Sequence, residues 1–207
     1  MKIAIIGYKG KSGSQVYETL KEEGYELIGI DKDTISLEEI IETIDLLIDF
    51  TNKESSLINI ELCLKYKKRF ICATTGFNKQ ELRNIKQKCI DNDVCGVICY
   101  NFSIPINCLL KYFDCFNKYF DEITYFDIHH VSKIDKISGT TYLFSLKNDN
   151  IKIKSYKTFK NTITYVIQMS SKYDKMIITY QVSDRKVFAL GLLSYLKGES
   201  QIINLIK

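Results

Sequence analysis

Residues 2–13 read Lys-Ile-Ala-Ile-Ile-Gly-Tyr-Lys-Gly-Lys-Ser-Gly and carry the strongest fold signal in the chain. The run begins with apolar residues, as in a strand buried on both faces, and ends in a glycine-rich loop. A helical pattern follows at residues 14–23. A glycine loop between a first strand and a helix is the setting of a dinucleotide phosphate site, where backbone N–H groups and the positive helix end meet the phosphates.

The glycines of this loop are Gly7, Gly10 and Gly13. We predict that Gly7 permits a tight turn, Gly10 lets the backbone approach a pyrophosphate, and Gly13 lets the helix lie close to the strand. Lys11 is predicted to lie near the same phosphates. The spacing is Gly-x-x-Gly-x-x-Gly, a variant of the usual Gly-x-Gly-x-x-Gly, so an ordinary glycine turn is the alternative.

Asp31 and Lys32 follow the second predicted strand, at residues 25–30. An acid at this place in a Rossmann unit accepts hydrogen bonds from the adenosine ribose. Lys32 instead favours the extra phosphate of NADP. Because the two residues are adjacent, the choice between NAD and NADP stays open, and a plain polar turn is the alternative to both.

Strands and helices alternate through the first half of the chain, with later strands predicted at residues 46–50, 70–73 and 94–100. A short helix at residues 36–43 is predicted to begin with a capping box of Ser36 and Glu39. The alternation predicts a parallel sheet with right-handed crossovers, whose strand ends form one ligand-binding edge. A polar triplet lies at the carboxyl end of each of these three strands, namely Asp49-Phe50-Thr51, Thr74-Thr75-Gly76 and Asn101-Phe102-Ser103.

The pattern changes at Pro105, after which an amphipathic helix is predicted at residues 106–120. Strands rich in Thr, Ile, Tyr and Val come next. The predicted fold class is therefore α/β, with a Rossmann-like parallel-sheet domain and a smaller α+β domain that has a mixed or antiparallel sheet. The later strands are predicted at residues 122–129, 151–156, 162–169 and 176–182.

Both histidines, His129 and His130, lie in residues 127–141, which read Asp-Ile-His-His-Val-Ser-Lys-Ile-Asp-Lys-Ile-Ser-Gly-Thr-Thr. Histidine changes charge readily near neutral pH and suits proton transfer. Lys133 offers a positive charge to a carboxylate, and the Ser-Gly-Thr-Thr run offers N–H groups and hydroxyls to an anion. The stretch predicts a site for a small acidic molecule that is protonated during reaction; the alternative is a polar strand end.

Composition sets limits on the class of protein. The chain has 207 residues, 45% of them hydrophobic and 26% charged, with a net charge of +4 and lysines spread throughout, which gives a nucleic-acid role little support. No apolar run approaches the roughly 20 residues of a membrane span, and the strand-like start does not resemble a signal peptide. The seven cysteines show no Cys-x-x-Cys, so we predict buried thiols in a reducing cytosol and no metal.

Together these motifs resemble the 4-hydroxy-tetrahydrodipicolinate (dihydrodipicolinate) reductases of bacterial and plant lysine and diaminopimelate synthesis. The most specific shared motif is His129-His130-x-x-Lys133. The glycine loop, the three triplets and Ser183-x-Arg185-x-x-Phe188-Ala189-x-Gly191 also match, in family order across nearly the whole chain. Two features depart from the family. Its usual Asp-Ala-Pro-Ser-Gly is Asp135-Lys136-Ile137-Ser138-Gly139 here, and the chain is shorter around residues 145–165.

The resemblance implies a dinucleotide-binding domain of residues 1–104 completed by residues 189–207, and a substrate-binding and oligomerisation domain of residues 105–188. It implies reduction of 4-hydroxy-tetrahydrodipicolinate to tetrahydrodipicolinate with NADH or NADPH, in the cytoplasm, by a homotetramer. The implied partners are a small dicarboxylate and further copies of the chain, without nucleic acid or membrane. The alternatives are another Rossmann oxidoreductase of amino-acid metabolism and a non-catalytic nucleotide-binding homologue.

The resemblance also implies roles for single residues. His129 matches the position of proton donation or shuttling, and Lys133 matches the substrate-binding residue and candidate acid. Groups that hold the substrate carboxylates match His130, Ser138, Gly139 and Thr140. The cofactor-binding matches are Gly7, Gly10, Lys11, Ser12, Gly13, Asp31, Lys32, Phe50, Thr51, Thr74, Thr75, Gly76, Asn101, Phe102, Arg185 and Phe188.

Overall fold

The computed structural model of the chain describes residues 1–131, 138–159 and 162–206. Contacts divide the chain into two compact units. The first unit is Met1–Ile104 with Arg185–Lys207, and the second is Pro105–Asp184. Within the described ranges, every helix is too short or too polar to cross a membrane.

The first unit contains a five-stranded sheet in the order β2-β1-β3-β4-β5. Every neighbouring pair in this sheet is parallel, as predicted. The order reverses between β1 and β3, which places a ligand-binding crevice at the carboxyl ends of these two strands. The strands are β1 (Lys2–Ile6), β2 (Glu26–Ile30), β3 (Leu46–Asp49), β4 (Arg69–Cys72) and β5 (Gly96–Ile98).

Helices cover the sheet of the first unit. Alternate residues of β1 enter two separate apolar cores, with Ala4 and Ile6 in one and Ile3 and Ile5 in the other. Burial on both faces explains why the strands read as unbroken apolar runs. The helices are α1 (Gly13–Glu22), α2 (Leu37–Ile40) with a 3-10 turn (Ile41–Thr43), α3 (Lys53–Lys65), α4 (Lys79–Asp91) and α7 (Lys186–Leu196).

The second unit contains a four-stranded sheet in the order β7-β6-β8-β9. The pair β6–β7 is parallel, whereas β6–β8 and β8–β9 are antiparallel, so the sheet is mixed and the predicted fold class is confirmed. Phe113 and Phe144 pack edge to face with ring centroids 4.9 Å apart, beside Tyr125 of the sheet. The elements are α5 (Ile104–Phe116), β6 (Glu122–His130), α6 (Gly139–Ser145), β7 (Lys152–Thr158), β8 (Ile163–Ser170) and β9 (Lys175–Val182).

Two local predictions need correction. The capping box at Ser36 and Glu39 is wrong, because Ser36 makes no side-chain cap bond to the four-residue α2, whereas Asn78 and Glu81 form a full box at α4. The prediction of buried thiols is right for Cys63, Cys72, Cys89 and Cys99 but wrong for Cys95, Cys108 and Cys115, which are exposed. The buried residues of α5 are Ile106, Asn107, Leu110 and Phe113, so the two cysteines of that helix lie outside the core.

Candidate functional site

The glycine loop of the first unit is packed too tightly for side chains at two positions. Gly7 has a φ of +77°, and a Cβ there would lie 2.8 Å from the carbonyl oxygen of Phe50. A Cβ on Gly13 would lie 2.2 Å from the carbonyl oxygen of Gly7. The loop closes through a hydrogen bond from the Gly10 N–H to the Gly7 carbonyl at 3.0 Å. Helix α1 therefore begins against the end of β1, as predicted for a phosphate loop.

A cavity of about 690 Å³ opens beside this loop, within the usual size range of small-molecule sites. It lies at the carboxyl ends of β1, β2 and β3, where the strand order reverses. Predicted cofactor residues account for part of its lining, namely Gly7, Gly10, Asp31, Lys32, Phe50 and Thr51. Other predicted cofactor residues lie outside that lining, namely Lys11, Ser12, Gly13, Thr74, Thr75, Gly76, Asn101, Phe102, Arg185 and Phe188.

The sequence analysis missed several residues of this cavity. Asn52 caps helix α3 by accepting a hydrogen bond from the Ser55 N–H at 3.0 Å, and both residues line the cavity. The Asn-x-x-Ser spacing directly after a strand end is the signal that could have identified them. The other missed lining residues are Ile6, Lys9, Ile30, Leu37, Glu38 and Asn59.

Asp31 is fixed at one end of the cavity by backbone donors. Its carboxylate accepts hydrogen bonds from the N–H of Lys9 at 3.2 Å and of Lys32 at 3.0 Å. The Lys9 ammonium pairs with Asp33 at 2.7 Å. An acceptor between two lysines suits either ribose hydroxyls or a phosphate, so the choice between NAD and NADP stays open.

Asp49 organises the loop after β3. Its Oδ1 accepts hydrogen bonds from the N–H and the hydroxyl of Thr51, at 2.8 and 2.6 Å, and its Oδ2 accepts one from the Asn59 amide at 2.9 Å. The Thr51 hydroxyl lies 3.2 Å from that of Ser56, which donates to the Thr74 hydroxyl at 2.8 Å. This chain of hydroxyls joins the polar triplets after β3 and β4.

A second carboxylate, Asp127, lies buried near the end of β6 in the second unit and is 1% exposed. Its Oδ2 accepts hydrogen bonds from the Ser138 N–H at 2.9 Å and the Thr141 hydroxyl at 2.7 Å. Its Oδ1 lies 2.7 Å from Nε2 of the buried His129. The two atoms do not meet the angle of a hydrogen bond, and the contact is an ion pair only when the imidazole is protonated.

The ionisation of Asp127 follows from these contacts. Burial alone raises the pKa of a carboxyl group, but the interactions with His129, Thr141 and Ser138 outweigh it and lower the pKa of Asp127 to about 2. Asp127 is therefore an anion at neutral pH. At the neighbouring Tyr165 burial outweighs the other interactions, raises the pKa of the phenol to about 12 and keeps it neutral.

The two histidines do not share a face. Side chains alternate along a strand, so His129 enters the interior of the second unit while His130 lies half-buried on the other face. The Ser138 hydroxyl accepts a hydrogen bond from the Thr141 N–H at 3.1 Å, and the Thr140 hydroxyl donates to Tyr165 at 3.1 Å. Lys133, like Asp135, lies outside the described residues.

Comparisons with known proteins agree with these features. The sequence profile of the dihydrodipicolinate reductase N-terminus matches residues 1–102. A 4-hydroxy-tetrahydrodipicolinate reductase of Thermosipho africanus is 30% identical over 203 residues, covering 95% of this chain and 90% of the relative. One of Dictyoglomus turgidum is 34% identical over 164 residues, covering 69% of this chain and 61% of the relative.

Solved structures share the fold. A dipicolinate-bound dihydrodipicolinate reductase from Paenisporosarcina sp. TG-14 has a TM-score of 0.74 at 20% identity, covering 99% of this chain and 96% of its own. An aspartate dehydrogenase from Thermotoga maritima has a TM-score of 0.61 at 11% identity, covering 98% of each chain. The predicted resemblance is confirmed, as is the predicted enzyme class of NAD(P)H-dependent oxidoreductases. This chain belongs to the dihydrodipicolinate reductase family, whose curated members above are named 4-hydroxy-tetrahydrodipicolinate reductase.

Proposed function

We propose that this chain reduces 4-hydroxy-tetrahydrodipicolinate to tetrahydrodipicolinate with NADH or NADPH. The observation that carries the proposal is the match to a reductase of that name over 95% of the chain. The glycine-lined cavity of the first unit supports it, because a dinucleotide needs a close backbone approach and a space of this kind.

The residues of the first unit fit a dinucleotide. The loop from Gly7 to Gly13 would hold the pyrophosphate through backbone N–H groups, with Lys11 and Ser12 beside it. Asp31 and Lys32 would hold the adenosine ribose. The nicotinamide end is assigned by resemblance to Phe50, Thr51, Thr74, Thr75, Gly76, Asn101, Phe102, Arg185 and Phe188. The bound cofactor supplies the hydride.

The second unit would hold the substrate and move a proton. A dicarboxylate requires cations and N–H groups, which we assign to Lys133, His130 and the turn from Ser138 to Thr140. Hydride addition to a conjugated imine leaves an electron pair that must be protonated. We assign the proton transfer to His129, with Lys133 as the second candidate acid. One hydride and one proton balance the reduction, and the 4-hydroxy form also loses water.

We further propose a homo-oligomer, a tetramer by analogy with the family, that acts in the cytoplasm. Large apolar side chains of the second unit are exposed and support burial against another copy, namely Tyr156, Tyr173, Met176 and Ile177. All seven cysteines are free thiols, which supports a reducing compartment. Sedimentation of the purified chain tests the tetramer, and a monomer at assay concentration would contradict it.

A coupled assay tests the activity. A dihydrodipicolinate synthase makes the unstable substrate in place, and the absorbance of NADH and of NADPH is followed in parallel. We expect oxidation of at least one nucleotide that depends on the synthase. Tight NADH binding without consumption would indicate a non-catalytic homologue, and oxidation with other amino-acid precursors alone would indicate a different oxidoreductase.

The lysine of the His-His-x-x-Lys block provides a second test. We expect Lys133→Ala to remove most turnover, because it deletes a cation for the substrate carboxylate and a candidate acid. The nucleotide dissociation constant, measured by NADH fluorescence, should stay within about twofold, because the proposal assigns Lys133 to the substrate and not to the cofactor. An intact rate would contradict the role.

A further inference from the structure

We infer that Asp127 is a positioning residue that holds His129 by its Nε2 side, so that Nδ1 is the nitrogen that exchanges a proton with the substrate. The same carboxylate fixes the turn that begins at Ser138. The geometric part stands on the second unit alone, whereas the catalytic part rests on the proposed function.

The two oxygens of Asp127 have separate tasks. Two groups of the Ser138 turn donate to Oδ2, and one of them is a backbone N–H, which can only donate. Oδ1 is left to the imidazole, 2.7 Å away. Both side chains are buried, with Asp127 1% and His129 6% exposed, so water does not screen the pair. One carboxylate thus joins the proposed proton-transfer group to the proposed carboxylate-binding turn.

The position of the imidazole proton follows from the charge on Asp127. An ionised carboxylate is an acceptor only, so a nitrogen 2.7 Å from it must carry a hydrogen. The bare lone pair of Nε2 against a buried anion would be repelled. Nε2 therefore keeps its hydrogen, and proton exchange with a ligand passes to Nδ1. A carboxylate selects the tautomer of a catalytic histidine in the same way in serine proteases.

Among the residues that the structure describes, the other groups near His129 do not compete for this role. On its own strand, the buried phenol of Tyr125 has a raised pKa, chiefly from burial, and stays neutral. Tyr165 of β8 meets the imidazole edge to face with ring centroids 5.7 Å apart. Lys157 of β7 pairs in register with His129 and is exposed. Helix α6 contributes the Thr140 and Thr141 hydroxyls, which are bonded to Tyr165 and Asp127.

The substitution Asp127→Asn should reverse the hydrogen-bond role of the imidazole Nε2 from donor to acceptor. The donors from Ser138 and Thr141 require the amide oxygen at the Oδ2 position. The amide nitrogen then faces Nε2, and because it is a donor, Nε2 must become an acceptor. The variant should therefore move the imidazole hydrogen to Nδ1, the nitrogen that the wild-type enzyme keeps for the substrate.

Nitrogen-15 NMR of the histidine rings tests this inference directly. The chain has 2 histidines, so long-range nitrogen–proton correlations give two ring patterns, which His130→Gln assigns. We expect a protonated Nε2 on His129 in the wild type and the Nδ1–H tautomer in Asp127→Asn. The control is Glu122→Gln, which removes an exposed acid of the same strand that pairs with Lys152 at 3.1 Å, and it should leave both patterns unchanged. An Nδ1–H tautomer in the wild type would overturn the inference. This measurement does not depend on whether any variant folds.

Kinetics separate the catalytic part from the proposed function. In Asp127→Asn, kcat should fall by about 100-fold or more, the typical contribution of a positioned acid–base group, while the KM for NADH stays within about twofold. Wild-type turnover together with full kcat in Asp127→Asn would overturn the catalytic part. If the wild type shows the expected tautomer but no turnover, the proposed function fails and the geometric part stands.

Discussion

Asp49 in the first unit and Asp127 in the second have similar hydrogen-bond donors but differ in one partner. Each is a buried carboxylate that accepts hydrogen bonds from a backbone N–H and a threonine hydroxyl of a following turn. The remaining partner differs, since it is the Asn59 amide for Asp49 and the His129 imidazole for Asp127. An amide can turn over to exchange donor for acceptor, whereas an imidazole must move a proton. The first acid therefore builds a loop, and we propose that the second also sets the protonation state of His129, the proposed proton-transfer group.

The strongest test of this contrast concerns the backbone of the first unit. Gly13→Ala would force a Cβ to 2.2 Å from the Gly7 carbonyl oxygen, a clash with backbone that cannot move aside easily. We expect NADH affinity to fall about 10- to 100-fold, from roughly 1–3 kcal/mol of strain in the proposed phosphate loop. Fluorescence titration of NADH measures the loss. The His129 ring pattern should not change, and a change there would show that the two sites are not independent.

A matched glycine provides the control for that experiment. Gly24 has a φ of +80° with open space around its missing Cβ. Gly24→Ala should cost about 1 kcal/mol of folding free energy through its left-handed backbone and leave NADH affinity unchanged. Equal effects of Gly24→Ala and Gly13→Ala on NADH affinity would contradict the steric explanation.

Ionisation of Asp127 in the second unit should make the stability of the fold depend on pH in the acid range. The pKa of Asp127 is about 2 in the folded chain against an ordinary 3.8, so its ionisation stabilises the fold above the ordinary value and the benefit is lost as pH falls toward 2. We expect the difference in unfolding free energy between wild type and Asp127→Asn to shrink by about 2 kcal/mol between about pH 5 and about pH 2. Denaturant unfolding at several pH values measures it, and a constant difference would contradict an ionised Asp127.

The same substitution in the first unit should have a small effect. In Asp49→Asn, the amide oxygen can stay with the two Thr51 donors while the half-buried Asn59 side chain turns over to accept from the new amide nitrogen. We expect a stability loss below about 1 kcal/mol and a KM for NADH within about twofold. Denaturant melts and steady-state kinetics check both values. A large loss in kcat would mean that Asp49 does more than build the loop.

Breaking an exposed ion pair should give the smallest change in unfolding free energy among these substitutions. Glu122→Gln breaks the Glu122–Lys152 contact, in which both side chains are more than half exposed. Because solvent and salt screen such pairs, we expect a change of about 0.5 kcal/mol or less in unfolding free energy, vanishing at high salt. Thermal melts at two salt concentrations measure it, and a salt-independent loss would contradict the surface assignment.

The first half of the fold was predictable because its signals are local. Gly7 indicates a tight turn, and Gly13 indicates a close approach of helix to strand. Unbroken apolar runs such as residues 2–6 indicate buried parallel strands. The contacts of Asp49 with Asn59 and of Asp127 with Thr141 were not predictable. They depend on side chains 10 and 14 residues apart that meet only after strand and helix have packed.

The placement of the two histidines within one strand also could not be predicted from their adjacency in the sequence. Sequence reasoning joined His129 and His130 into one site because they are adjacent, yet the alternation of β6 sends them to opposite faces. The partner of His129 is two residues earlier, where the same alternation returns a side chain to the same face. The helix α7 spans Lys186–Leu196, so residues 186–191 of the Ser183–Gly191 motif are helical.

Hydride transfer itself is the most direct test of the proposed activity. The chain is given NADH that carries deuterium at both C4 positions of the nicotinamide, with substrate generated in place by the synthase, and the product is analysed by mass spectrometry. We predict tetrahydrodipicolinate that contains one deuterium per molecule. Product without deuterium, or no product while NADH remains bound, would contradict the assignment.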